Sequence, residues 1–217
     1  KYLKGQQVPD LADSICSIYQ EIRVKKTCDC QNLFDFNHVK EHIVYKLIRR
    51  DANEELLKQI PYEPFLDLAV VYYIQIDNTR FGSAAIQIRN EHLRYWRVEK
   101  EEIRRLAEKN TPRIYPVQIQ KIVRFMYVAT NEQCSLGAAV MRYPDFLEKV
   151  WGMIGEGFYI LPSSIHEVIL VPESFGMEPE RMQEMVKEIN QIGVAPEEVL
   201  SDSVYYSDGE EIRIVAK

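Results

Sequence analysis

The sequence predicts an α+β protein: an N-terminal helical segment followed by mostly antiparallel sheet with two ββα-like units and a C-terminal hairpin. Apolar residues recur at helical spacing up to about residue 60. From Phe65 onward they fall in short runs rich in Val, Ile and Tyr, which are typical of strands. We therefore expect a helical segment at residues 1–60, the end of a longer N-terminal region, and an α+β domain at residues 61–217.

Three helices are predicted in the N-terminal segment. The first covers residues 9–25. The second begins at Asn37, a good helix cap, and continues to about residue 50. Its predicted buried stripe consists of Val39, Ile43 and Leu47. The third is a short helix at residues 53–59, which two prolines end.

The two ββα units are predicted at residues 70–98 and 126–155. In the first, strand 66–77 pairs with strand 83–89 and a helix starts near Asn90. In the second, strand 126–131 pairs with strand 137–143 and a helix follows. The two second strands align as Ser83-Ala84-Ala85-Ile86 and Gly137-Ala138-Ala139-Val140. This alignment suggests an internal duplication, with chance similarity as the alternative.

The segment between the two units is predicted to be helical. A helix at residues 99–109 ends at Thr111-Pro112, because the residue before a proline disfavours helix. Residues 117–125 then resemble a helix that runs directly into strand 126–130 without Gly, Pro or Asn. Such joints normally contain one of these residues. An absent loop near residues 124–126 would explain the abrupt change.

The C-terminal part begins with a long apolar run, residues 158–172, which we predict to be one buried strand. An amphipathic helix follows at residues 179–192. Its predicted inner face contains Met182, Met185, Val186 and Ile189. The chain closes with a hairpin around Asp208-Gly209, a pair that favours tight turns.

Composition excludes several classes of protein. The net charge of −6 argues against a nucleic-acid partner, and the pairs Arg49-Arg50 and Arg104-Arg105 fit solvated helix faces. No apolar run has the roughly 18–20 residues that a membrane span needs, so we predict no membrane contact. The 4 cysteines lack the paired spacing of zinc sites and the density of disulfide-built domains. Reduced thiols in a cytoplasmic protein are the simplest interpretation.

The pattern H-x-x-E-H occurs at residues 38–42 and resembles a zinc-peptidase motif. On a helix, His38 and His42 would be one turn apart, with Glu41 as general base. The predicted buried stripe lies beside both histidines and turns them toward water, and the sequence offers no third ligand. We therefore predict no metal.

The strongest candidate site is Ser163-Ser164-Ile165-His166-Glu167, inside the long apolar run. Polar groups in a buried strand must be hydrogen-bonded or have a task. If the strand is regular, Ser164 and His166 share a face and resemble a nucleophile with its base. A structural role, in which these side chains bond to neighbouring backbone, is the favoured alternative. A ligand or partner site is the third interpretation.

A second polar cluster, Ser201-Asp202-Ser203 followed by Tyr205, precedes the last hairpin. Together with Ser163, residues Asp202, Ser203 and Tyr205 are weak candidates for binding, although such residues usually cap or turn the chain. The glycines at 152, 155 and 157 follow a helix rather than open one, so they form no phosphate loop. We predict no cofactor.

Several strings resemble an uncharacterised bacterial family whose members come mostly from anaerobic gut Firmicutes. The most specific are Ile-Leu-Pro-Ser-Ser-Ile-His-Glu-Val-Ile-Leu-Val-Pro at residues 160–172 and Val-Leu-Ser-Asp-Ser-Val-Tyr-Tyr at residues 199–206. The resemblance covers nearly the whole chain. It implies a location in the bacterial cytoplasm and a longer N-terminal portion, and it implies no activity.

The sequence thus favours a non-catalytic interaction or regulatory module with an unknown protein partner. The alternative is a small-molecule or peptide-processing hydrolase that uses Ser164 and His166. These alternatives differ in what surrounds His166: an enzyme needs an open pocket with converging polar groups, and a module needs those groups bonded internally. The oligomeric state stays open.

Overall fold

The structure is a computed structural model that describes residues 35–79 and 82–217. Residues 42–217 form one compact unit. Residues 1–41 form a separate unit, of which residues 35–41 are described. The helix predicted at residues 9–25 lies outside the described residues.

The first sheet is antiparallel and is built around its longest strand. Its strands are β1 (Ile43–Arg49), β2 (Tyr62–Phe65), β3 (Leu68–Thr79) and β4 (Gly82–Gln87). On one side of β3, β1 pairs along its whole length, from Ile43 opposite Ile74 to Arg49 opposite Leu68. On the other side of β3, β2 pairs with residues 68–71 and β4 pairs with residues 73–79. The predicted pairing of β3 with β4 is confirmed, with Ile76 opposite Ala84.

The second sheet has six strands in the order β10-β9-β7-β8-β6-β5, all antiparallel. They are β5 (Val117–Val123), β6 (Met126–Asn131), β7 (Phe158–Leu161), β8 (Val168–Pro172), β9 (Val204–Ser207) and β10 (Ile212–Ala216). The predicted C-terminal hairpin is confirmed, with Ser207 opposite Ile212. The α+β class with antiparallel sheets is likewise confirmed.

The described helices precede or separate these strands along the sequence. They are α1 (Phe36–Val39), α2 (Glu54–Leu57), α3 (Asn90–Trp96), α4 (Lys100–Ile114), α5 (Phe146–Ile154) and α6 (Pro179–Ile192). Short 3-10 turns lie at Lys40–His42, Asp51–Asn53, Gly137–Arg142 and Glu173–Phe175. In α6, Met182 and Val186 are buried as predicted, whereas Met185 and Ile189 are exposed.

Helix α4 does not stop at the predicted Thr111-Pro112. It continues to Ile114, because Thr111 Oγ1 donates to the Ala107 carbonyl at 2.6 Å and the Tyr115 N–H donates to the Thr111 carbonyl at 2.8 Å. These bonds close the turn around the proline.

The helix predicted at residues 37–50 is wrong beyond its first turn. Asp35, rather than Asn37, caps α1, and the chain then enters β1. Residues at positions 39, 43 and 47 are buried as expected, but their neighbours Val44 and Tyr45 are buried too. A strand buried on both faces places apolar residues at every position, so a helical stripe can be traced within it. Arg49 and Arg50 therefore end a strand instead of lying on a helix face.

The helix predicted at residues 117–125 is also wrong. These residues form β5, which pairs with β6 from Val117 opposite Asn131 to Val123 opposite Met126. Arg124 and Phe125 alone make the turn between the two strands. The alternation of Val and Ile with Gln from residue 117 to residue 120 is a strand signal. In the structure a tight hairpin occupies the position where a loop seemed absent.

The strand predicted at residues 137–143 is a 3-10 turn, so the second predicted hairpin is wrong. Strand β6 already has β5 and β8 as neighbours and leaves no edge for another strand. Gly137 instead packs directly on β6: a Cβ there would lie 2.1 Å from Thr130 Oγ1 and 2.4 Å from the His166 carbonyl oxygen. The internal duplication gains no support, because the aligned segments are a strand in one unit and a 3-10 turn in the other.

The apolar run at residues 158–172 is two strands rather than one. Strands β7 and β8 form a hairpin with Phe158 opposite Pro172 and Leu161 opposite Ile169. The polar residues Ser163, Ser164, His166 and Glu167 lie in the connecting loop. A strand of fifteen residues would greatly exceed the usual length of about 3–10, which is the signal that pointed to a hairpin.

Candidate functional site

A cleft of about 250 Å³ lies where the end of β1 and the β2–β3 turn meet α6 and the segment before β9. Residues from five separate parts of the chain line it: Arg49, Arg50, Asp51, Asp67, Lys187, Asp202, Ser203 and Lys217. All of these residues belong to the compact unit. We refer to this space as the Asp67 cleft.

The position of Asp67 is set by a tight turn. Leu66 and Asp67 join β2 to β3, since Phe65 pairs directly with Leu68. The turn requires Leu66 to adopt a left-handed backbone with φ of 56°. This conformation costs a non-glycine residue about 1–2 kcal/mol, so surrounding contacts must stabilise it. The hydrogen bonds of the adjacent Asp67 are among the contacts that can hold this turn.

Three buried hydroxyl groups converge on the half-buried Asp67 carboxylate. Ser201 Oγ and Ser203 Oγ donate to Oδ2 at 2.7 and 2.8 Å, and the Tyr205 hydroxyl donates to Oδ1. Burial and the neighbouring Asp67 charge both raise the pKa of Tyr205, so this hydroxyl stays protonated and acts as a donor. The cluster ties the β2–β3 turn to the start of β9.

Arg49 connects the two other carboxylates of the cleft. Its Nε and Nη2 donate to Asp51 at 2.8 and 3.3 Å, and its Nη1 donates to Asp202 at 2.8 Å. Asn190 Nδ2 donates to the other oxygen of Asp202 at 2.8 Å. Burial would raise the pKa of Asp202, but the hydrogen bonds from Asn190 and Arg49 outweigh it and lower that pKa. Both Asp51 and Asp202 are therefore charged at neutral pH.

Three cations complete the lining of the cleft: Arg50, Lys187 and Lys217. All three are exposed, and within the part of the chain that the structure describes none of them makes an ion pair within 4.0 Å. The acids of the cleft thus have partners, whereas these cations have none at contact distance. The lining thus has four cationic side chains and three carboxylates, an excess of one positive charge.

The residues predicted from the second polar cluster come together at this cleft. Asp202 and Ser203 line it, and Tyr205 lies beneath it as a donor to Asp67. Ser163 lies in the β7–β8 loop, where its carbonyl oxygen accepts from the Leu200 N–H at 3.0 Å. The weak binding candidates therefore divide between two places.

The β7–β8 loop holds the predicted catalytic candidates, and its hydrogen bonds are directed mainly to backbone. Ser164 Oγ accepts from the His166 N–H at 3.0 Å, and the Thr130 hydroxyl donates to the His166 carbonyl at 2.8 Å. Glu167 is exposed. We refer to these residues as the His166 loop.

Both ring nitrogens of His166 have partners. Nδ1 accepts from the Leu136 N–H at 3.2 Å, and Nε2 lies 3.3 Å from Glu198 Oε1. Since Nδ1 is an acceptor in this arrangement, Nε2 carries the proton and faces the Glu198 carboxylate. This arrangement leaves no lone pair on the ring to take a proton from Ser164. His166 was expected to be largely buried in a strand; it lies instead in a loop with 32% of its side chain exposed.

Sequence reasoning missed Asp67, Arg49, Arg50 and Lys187 as members of one site. One signal for Asp67 was available: a charged residue interrupts the apolar run at residues 65–74, which indicates a turn rather than a continuous strand. No spacing in the sequence relates Asp67 to Ser203, which lies 136 residues later.

The H-x-x-E-H pattern does not lie on one regular helix, because α1 ends at Val39 and a 3-10 turn follows. Among the described residues, no group of three His, Cys, Asp or Glu side chains is arranged to hold a metal ion. Within that same part of the chain, no helix has both the length and the apolar character needed to cross a membrane.

The chain belongs to the DUF5688 family, which is described as a family of unknown function and matches residues 1–126 and 121–208. The two matched segments overlap at the β5–β6 hairpin, the position at which the sequence suggested an absent loop. No curated protein and no solved structure matches the chain.

Proposed function

We propose, for this member of the DUF5688 family, that residues 42–217 form a non-catalytic regulatory module of the bacterial cytoplasm. We further propose that it binds a small tetrahedral oxyanion, such as inorganic phosphate or the phosphate group of a small metabolite, in the Asp67 cleft. The observation that supports this proposal most strongly is the unequal pairing of charges there: the acids accept hydrogen bonds, whereas among the described residues none of three cations forms an ion pair within 4.0 Å.

The pairing of the acids supports an anionic rather than a cationic ligand. Asp51 and Asp202 are held by Arg49, and Asp67 accepts hydrogen bonds from three hydroxyls. A cation entering the cleft would have to displace these donors. An anion would approach Arg50, Lys187 and Lys217 without breaking any of these bonds.

Arg49 supports the choice of an oxyanion. A guanidinium group has five N–H donors, and three of those on Arg49 are occupied by Asp51 and Asp202. Two aspartates thus fix the plane of the group and leave two N–H groups for another acceptor. Arginine groups fixed in this way bind phosphate oxygens well, because little side-chain entropy remains to be lost.

The size of the cleft supports a small ligand. Sites for drug-sized molecules have volumes of roughly 300–1,000 Å³. A cleft of about 250 Å³ is at the lower limit and suits a ligand of a few heavy atoms.

Two features favour a non-catalytic role in the cytoplasm. Asp67 accepts three hydroxyl hydrogen bonds, and His166 Nδ1 accepts from the Leu136 N–H, so neither is arranged as a general base. The hydrolase alternative would require Ser164 Oγ to donate to a free imidazole nitrogen. The exposed, unpaired Cys134 and the resemblance to bacterial proteins support a reducing compartment.

Isothermal titration with inorganic phosphate, in a chloride buffer of constant ionic strength, tests the proposal. We expect one site per chain, and we expect Arg50→Gln and Lys187→Gln each to weaken binding by about tenfold through one lost charge-assisted hydrogen bond. Lys109→Gln is the matched control, since it removes an exposed charge from α4, away from the cleft. Binding that is absent, or equally weak in all three variants, would refute the proposal.

A further inference from the structure

The two edge strands of the second sheet differ in length and in the placement of their charged side chains. Strand β10 at one edge has 5 residues, and Arg213, the second of them, lies over the Tyr206 ring and 3.9 Å from Asp208. Strand β5 at the other edge has 7 residues, contains no proline, and within the described part of the chain pairs with β6 alone. An edge strand of this length offers a row of unpaired N–H and C=O groups to another strand.

The outer end of β5 is also apolar. Ile122 is 54% exposed, Val123 is 57% exposed, and Met126 across the turn is 38% exposed. Phe125 and Phe175 extend this surface, with their ring centroids 5.8 Å apart. Exposed apolar residues that lie together beside a free sheet edge are typical of a binding surface.

The charged side chains of β5 and of the turn that follows it are positive. Arg124 lies over the Phe125 ring at 5.0 Å and Lys121 lies over the Tyr127 ring at 5.3 Å. Among the described residues neither side chain forms an ion pair within 4.0 Å. A lysine pointing outward would protect an edge strand, but the Lys121 ammonium is directed over a ring of the neighbouring strand β6. In a chain with a net charge of −6, this is a local positive surface.

We infer that β5 is the docking edge for an extended segment of a partner protein in which acidic and apolar residues alternate. The segment adds a strand to the sheet beside β5, its apolar side chains cover Ile122 and Val123, and its carboxylates approach Lys121 and Arg124. Backbone hydrogen bonds supply affinity, and the alternate side chains supply selectivity. This surface is separate from the Asp67 cleft and does not depend on it.

Fluorescence anisotropy with two labelled peptides of the same length as β5 tests this inference. In one peptide Glu and Val alternate, and in the other Lys and Val alternate. We expect the Glu peptide to bind at least about tenfold more tightly, and Ile122→Glu and Arg124→Glu each to weaken it by about tenfold. Arg213→Glu at the opposite edge is the control and should leave binding unchanged.

Amide hydrogen exchange of the unmodified protein provides a second measurement that needs no variant. The Glu peptide should slow exchange in residues 117–123 and leave β10 unaffected. Failure of the Glu peptide to bind, or protection elsewhere, would overturn the inference. It would equally be overturned if the protein is a dimer by light scattering and Ile122→Glu makes it a monomer, since a second copy would then occupy the edge.

Discussion

The Asp67 cleft and the His166 loop are both polar regions at the ends of strands, yet their side chains have different partners. In the cleft, side chains bond to side chains that lie 134–138 residues away, and three cations form no ion pair within 4.0 Å among the described residues. In the His166 loop, side chains form hydrogen bonds mainly with backbone groups of the loop and of the segments next to it. The first arrangement leaves charge available for a ligand, whereas the second fixes the path of the chain.

The largest expected effect is the loss of the Asp67 carboxylate. Asp67→Ala leaves three buried hydroxyls without an acceptor and should lower the free energy of unfolding by about 3–5 kcal/mol. Urea unfolding measures this. Glu167→Ala, which removes an exposed carboxylate from the His166 loop, is the control and should change stability by less than about 0.5 kcal/mol. Equal losses of unfolding free energy in the two variants would contradict the difference between the Asp67 cleft and the His166 loop.

The second prediction concerns the packing that supports the His166 loop. In Gly137→Ala the new Cβ would overlap Thr130 Oγ1 and the His166 carbonyl, so we expect a loss of about 2–3 kcal/mol. Gly152→Ala on α5 is the matched control, because a Cβ there meets nothing within 4 Å. It should raise stability by up to about 1 kcal/mol through better helix propensity. Thermal unfolding of both variants measures the predicted loss in Gly137→Ala and the predicted gain in Gly152→Ala.

The His166 side chain should contribute less to stability than the packing of the backbone around it. His166→Ala removes the acceptor for the Leu136 N–H, but water can reach this half-exposed site, so we expect a loss of about 1 kcal/mol. Phosphate affinity should stay unchanged in this variant. A change in phosphate affinity without a change in stability would assign His166 to a ligand site and would contradict its structural role.

The smallest predicted effect is a dependence on pH from the cleft aspartates. Hydrogen bonds lower the pKa of Asp202 from its ordinary 3.8, and Arg49 lowers the pKa of Asp51. Carboxylates with a lowered folded-state pKa stabilise the fold above their unfolded pKa, and this stability is lost as pH falls through the lowered value. Stability should therefore fall below pH of about 4, and less steeply in Asp202→Asn. Unfolding curves that keep the same pH slope in this variant would disprove the contribution.

The parts of the fold that could be predicted are those decided by local residues. The β3–β4 and C-terminal hairpins, and helices α3, α5 and α6, follow from turn residues and from clear periodicity. The errors at residues 37–50 and 117–125 arose where apolar residues fit both periods, and tertiary pairing with β3 and β6 decided the outcome. These two segments are strands because neighbouring strands of the folded sheets pair with them.

The candidate site was predictable only in part, for a related reason. Asp202, Ser203 and Tyr205 attracted attention because polar residues stand beside an apolar strand. Asp67, which accepts from Ser203 and Tyr205, is brought to them by the tertiary fold, and no spacing in the sequence indicates that contact. Arg49 and Arg50 were noticed as a pair, but the incorrect helix prediction assigned them to a solvated face. Errors in local structure thus concealed the cleft.

Amide chemical-shift mapping during a titration with inorganic phosphate tests the central claim most directly, because it locates the anion without any substitution. We predict that the largest shifts occur at Arg50, Asp51 and Ser203, with smaller shifts at Lys187 and none in the His166 loop. Shifts concentrated in the His166 loop, or spread evenly over exposed lysines such as Lys109, would contradict the assignment of the Asp67 cleft as an oxyanion site.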